Sequence, residues 1–96
     1  MKKANEQTIR EAINLLLDTY KIKDKYLETS VLTHWDRIMG KTISSRTTEI
    51  YIRHKKLYIR LNSAALKQEL VQSKDKIIQL INEEMAAEVI KEVIFI

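Results

Sequence analysis

The chain has 96 residues, of which 45% are apolar and 31% charged, with a net charge of +4. That length supports one soluble domain over residues 1–96 and is too short for two separate cores. Zero cysteines, zero prolines and one glycine exclude disulfides, thiolate nucleophiles, proline-rich linkers and glycine-rich phosphate loops.

No apolar run reaches the roughly 20 residues that cross a bilayer, and no signal-peptide core is visible, so a cytoplasmic protein is expected. The two histidines, His34 and His54, form no ligand cluster and no triad, and neither a metal nor another cofactor is expected. Residues 1–76 carry 16 basic and 9 acidic side chains, whereas residues 77–96 carry Lys91 against Glu83, Glu84, Glu88 and Glu92. Such an asymmetry favours a polyanion on one side of the molecule. Ordinary solvated charge is the plain alternative.

Residues 1–5 are expected to be disordered, with Asn5 capping a first helix over about Glu6–Lys21. Ile9, Ala12, Ile13, Leu16, Leu17 and Tyr20 recur at the three-and-four spacing of one buried face. The charged stretch Lys21-Ile-Lys-Asp-Lys-Tyr26 reads as a loop. A second helix, about Glu28–Met39, turns Leu27 or Val31, Trp35 and Ile38 inward, and Gly40 stands where a left-handed C-cap would end it. Trp35 is assigned to the core, and Tyr20 and Tyr26 to packing.

A hairpin follows. Glu49-Ile-Tyr-Ile-Arg-His54 and Leu57-Tyr-Ile-Arg-Leu-Asn62 alternate strictly, so Ile50, Ile52, Leu57, Ile59 and Leu61 share one face. Tyr51, Arg53, Tyr58 and Arg60 share the other. Lysines suit a primed turn poorly, so a four-residue loop near Lys55-Lys56 is favoured over a two-residue one. A third helix is predicted over about Ser63–Met85, capped by Ser63, with Leu66, Leu70, Ile77, Leu80 and Ile81 inward. Val89–Ile96 reads as an eight-residue β-branched strand. The fold class is α+β in the order α-α-β-β-α-β, a three-stranded sheet with helices packed on one face.

The open sheet face then carries the function. Between Arg37 and Arg60 there are seven basic residues against one acid, Glu49. Aromatic rings interleaved with guanidinium groups form a platform on which a polyanion can bind and its bases can stack. The candidate nucleic-acid contacts are Arg46, Tyr51, Arg53, Lys55, Lys56, Tyr58 and Arg60. Arginine pairs with phosphate in a bidentate fork and stacks on rings, which lysine does not do. Adjacent Glu83 and Glu84 diverge by about 100° on a helix and make no acid–base pair. No catalytic constellation is present, and an enzyme is not expected.

Taken together, Trp35-Asp-Arg-Ile-Met-Gly40, the hairpin, Leu57-Tyr-Ile-Arg-Leu-Asn-Ser-Ala-Ala-Leu-Lys-Gln-Glu-Leu70 and the closing Val-Ile-Lys-Glu-Val-Ile-Phe strand resemble the DciA-like bacterial family. That family was long catalogued as a domain of unknown function, and the resemblance covers about residues 8–96. It implies a K-homology-like fold and a role in DNA replication beside the replicative helicase DnaB, with DNA binding that helps load or operate it. Two departures stand out. Family hairpins usually turn on a glycine, where this chain has His54-Lys-Lys56. The G-x-x-G loop of K-homology RNA binders is also absent, which argues against reading four nucleotides in that manner.

The expected partners are therefore DNA, single-stranded or duplex, and the helicase, with no membrane and no small-molecule substrate. The helicase is expected to meet the acidic segment around Glu83, Glu84 and Glu88, away from the basic hairpin. The alternatives are a protein-interaction adaptor pairing through the Val93-Ile-Phe-Ile96 strand edge, and an RNA-binding module.

Overall fold

A computed structural model describes residues 8–96 in full and residues 2–7 by their helical backbone. The expectations for residues 1–5, disorder and a cap at Asn5, fall outside the fully described residues. The first third of the chain is one helix, α1 (Lys2–Thr33), of 32 residues. The loop expected at Lys21–Tyr26 is helical. It holds neither glycine nor proline, and lysine is among the better helix formers when its ammonium stays in water, so nothing breaks the hydrogen-bond ladder.

The face expected to be buried in the first helix is exposed: Ile9, Ile13, Leu16, Leu17 and Tyr20 are 50–59% accessible. Leu15, Ile22 and Tyr26 are more open still, at 67–69%. Only from Leu27 and Val31 does α1 join the core. The molecule is accordingly long, 66 × 21 × 20 Å.

Two short helices follow, α2 (Trp35–Met39) and α3 (Lys41–Ser44), joined by Gly40. Gly40 does have a positive φ of 85°, but its ψ of 162° places it in an extended region outside the left-handed helix. That region is essentially open to glycine alone, so the residue type was legible and the cap type was not. Trp35 is buried, and its indole N–H donates to Thr47 Oγ1 at 3.1 Å. The Thr47 hydroxyl donates in turn to the Ile43 carbonyl at 2.7 Å.

Strands β1 (Thr47–Arg53), β2 (Lys56–Leu61) and β3 (Glu92–Phe95) form a sheet in the order β1-β2-β3. β1 is antiparallel to β2, and β3 is parallel to it. An irregularity between Thr47 and Glu49 shifts the register, which turns Thr47 to the inner side beside Trp35 while keeping Glu49 outward. The hairpin closes in two residues instead of the expected four. His54 (φ 53°) and Lys55 (φ 59°) both take left-handed backbone, the pattern of a type I′ turn whose twist matches that of the strands. Strand twist thus overrides the poor fit of lysine to that region.

β2 is the buried middle strand, with Leu57 and Ile59 fully enclosed. The expected third helix is two: α4 (Ala64–Val71), capped by the Ser63 hydroxyl accepting from Leu66 N–H, and α5 (Lys74–Met85). The break lets Leu70 and Ile77 both reach the core, whereas Leu80, expected inward, is 42% exposed. The final strand is four residues long where eight were expected. Val89 and Ile90 are consecutive and both buried, which an alternating strand cannot achieve. Their N–H groups donate to the side-chain Oδ1 of Asn82 at 2.9 and 3.1 Å, and Asn82 Nδ2 donates to the Ile90 backbone carbonyl at 2.9 Å. One side chain thus replaces a strand neighbour for this segment.

Candidate nucleic-acid interface

Alternation along β2 sends Leu57 and Ile59 under the helices and leaves Lys56, Tyr58 and Arg60 on the uncovered face. Register then adds their neighbours. Tyr51 lies opposite Tyr58, and Tyr58 lies beside Ile94 of β3, so one row across the sheet is aromatic and apolar. The two rings stack with centroids 4.7 Å apart and planes 12° from parallel. Each ring therefore spends one face on the other. A base has the outer face of Tyr51 to stack on, at the free edge of the sheet.

The rows on either side are charged. Toward the turn, Arg53 lies opposite Lys56, and Lys56 lies beside Glu92, with Nζ 3.8 Å from its carboxylate. Away from the turn, Arg60 Nε donates to Glu49 at 3.0 Å. At the tip, Lys55 and Lys91 share Glu88 at 3.7 and 3.5 Å. Five cations on this face thus meet three carboxylates, a weaker field than the sequence count of seven against one suggests. All these pairs are half-exposed, and pairs of that kind contribute about 0–1 kcal/mol. A phosphate can therefore compete with each carboxylate for its cation.

Six of the seven predicted residues are gathered here: Tyr51, Arg53, Lys55, Lys56, Tyr58 and Arg60. Arg46 is separate. It precedes β1, bonds Ile43 and Asn62 through its backbone, and lies seven residues from Arg53, about 23 Å along an extended strand. Among the described residues, Arg46 and Arg53 have no ion pair. Sequence reasoning missed Glu88, Glu92 and Ile94. Their composition was visible, but the parallel register that sets Glu92 beside Lys56 and Ile94 beside Tyr58 spans more than 30 residues of chain.

Of the acidic segment expected to stand apart from the basic hairpin, Glu88 reaches it. Glu88 touches Lys55 at the hairpin tip, and Glu84 lies 3.5 Å from Arg37. The chain's acidic end folds against its basic middle.

A family model described as Dna[CI] antecedent, DciA, matches residues 8–95. The chain belongs to the DciA family. DciA proteins are associated with loading of the replicative helicase DnaB in DNA replication and are not known as catalysts. Neither a curated protein nor a solved structure matches this DciA chain. Among the described residues no helix is long and apolar enough to cross a membrane, and no group of three or more His, Asp or Glu side chains could hold a metal. The DciA match begins at Thr8 and so includes the exposed part of α1.

Proposed function

We propose that this DciA chain is a nucleic-acid-binding accessory of the replicative helicase, one K-homology-like domain that holds a strand on its open sheet face while the helicase is loaded. The observation that carries this reading is the stacked Tyr51–Tyr58 pair beside the unpaired Arg53. Arg53 is free to grip phosphate bidentately, and Tyr51 offers the outer ring face. Lys55, Lys56 and Arg60 contribute after exchanging a carboxylate for a phosphate. Binding is chiefly electrostatic, with slight sequence preference.

The test is titration of single-stranded and duplex DNA and RNA at two salt concentrations, using the parent and Arg53→Gln, Tyr51→Ala and Arg60→Gln variants. The expected result is a steep salt dependence, with Arg53→Gln and Tyr51→Ala weakening binding more than Arg60→Gln. Unchanged affinity in an Arg53, Lys55, Lys56 and Arg60 quadruple Gln variant would remove the hairpin from the interface. The second reading, a protein adaptor, draws on β3, an edge strand whose Ile94, Phe95 and Ile96 are half-buried. It predicts helicase co-purification that resists salt and no nucleic-acid affinity.

A further inference from the structure

We infer that α1 is a self-association arm: the stripe Ile9, Ile13, Leu16 and Tyr20 pairs with the same stripe of a second copy, antiparallel, about a twofold axis. The stripe is the outward continuation of a face the fold already uses. Along α1 the positions 9, 13, 16, 20, 27 and 31 follow at steps of three or four, apart from the step of seven over Lys23, and so share one helix face. Leu27 and Val31 of that series lie against the core, Tyr20 stands at the edge of the body, and Ile9, Ile13 and Leu16 project beyond it.

Size points to a second copy as the occupant. Ile9, Ile13, Leu16, Leu17 and Tyr20 are each more than half exposed or at half, leaving on the order of 100 Å² open per side chain. Pairing two such stripes, with Leu17 flanking each, buries about 1,000 Å² at most, the threshold for specific association. A face that matches itself closes after two copies and leaves nothing unpaired.

Charge sets the direction. The seam position skipped above is Lys23, and a parallel pair would set Lys23 on Lys23 of the other copy. In the antiparallel pair Ile9 meets the partner's Tyr20 and Ile13 the partner's Leu16, four apolar layers over about 18 Å of helix. The lysines then lie at opposite ends. At Tyr20 the seam runs into a largely charged cavity of about 180 Å³ where α1 meets the body, lined by Tyr20, Lys23 and Leu27 on one side and Lys55, Glu88 and Val89 on the other. The first turn of the partner's stripe ends at its rim.

The stripe formed by Leu15, Ile22 and Tyr26 lies roughly 120° around the helix and stays outside this contact, which makes it an internal control. The full chain should sediment as a dimer at micromolar concentration and dissociate on dilution. Leu16→Glu should weaken the dimer at least ~100-fold by burying an unpaired charge, with helical content retained, whereas Ile22→Glu should leave it intact. Because the chain lacks cysteine, direction can be read by oxidation. A mixture of Ile9→Cys and Tyr20→Cys proteins should cross-link, and neither should cross-link alone. A chain that stays monomeric, a dimer indifferent to Leu16→Glu, or self-cross-linking of the Ile9→Cys protein would each overturn the inference. A monomer whose residues 9–20 resist hydrogen exchange would instead mean that the arm folds back on its own body.

Discussion

Residues 8–26 and residues 27–96 are almost equally apolar, 9 of 19 against 32 of 70, and their fates are opposite. The second region closes around Leu57, Ile59, Ile81, Ile90, Val31 and Val93, all essentially inaccessible. The first carries an equally regular stripe and leaves it in water. Helical periodicity thus announces that a face can be buried, but whether it is depends on a surface within reach. Here α1 runs straight through Lys21–Tyr26 and carries its stripe past the end of the body. A break at that point would have let the first helix fold back, and the residues present give the chain no reason to break.

Paired truncations test this contrast most directly. Ile59→Ala should destabilise the chain by about 2–5 kcal/mol in urea unfolding, because it empties an enclosed site. Ile13→Ala should change stability by no more than about 0.5 kcal/mol when measured at a dilution where self-association is absent. Comparable losses from both would show that the arm is packed in solution.

Next in size is the residue that lets the body close without a full strand. Asn82→Ala should cost about 2–4 kcal/mol, since it strands the Ile90 N–H and carbonyl together, while the Val89 N–H keeps the Ala87 carbonyl. Lys55→Gly should act in the other direction. Relieving one left-handed residue in the hairpin turn is expected to raise stability by about 1 kcal/mol, read as a higher urea midpoint with an unchanged slope.

The smallest effects belong to the surface pairs. Glu92→Gln and Glu49→Gln should each alter stability by about 0.5 kcal/mol or less. They should nonetheless tighten nucleic-acid binding at low salt, because each releases a cation, Lys56 or Arg60, from a competing carboxylate. Weaker binding in either variant would count against the open sheet face as the interface.

Much of the body was legible in local pattern. Strict alternation placed Leu57 and Ile59 inward and Tyr51 and Tyr58 outward, and Ser63 announced its helix start. What escaped was decided at longer range or by backbone demands. The tight turn at His54-Lys55 follows from strand twist, against residue preference. The break at Gln72-Ser73 serves the simultaneous burial of Leu70 and Ile77. The short last strand follows from a single asparagine 7 and 8 residues upstream. Of the candidate site, residue identities and their shared face were readable, while the neutralising acids were not. Glu88 and Glu92 reach the hairpin only through the parallel pairing of β3 with β2.

That parallel pairing also dictates the order in which the body can mature. β2 lies in the middle of the sheet, and its second neighbour arrives only after α4, α5 and the Asn82-held segment have been made. Val93, 1% exposed, is a wall of the same core as Leu57 and Ile59. Until residues 92–95 emerge, the hairpin has one free backbone edge on its central strand and an open apolar floor beside it. Folding of the body is therefore expected to be held back until β3 has been made. A chain cut ahead of Val93 would contain the residues of every helix and of the hairpin but expose the free edge of β2 and its apolar floor, a substrate for chaperones and an aggregation hazard.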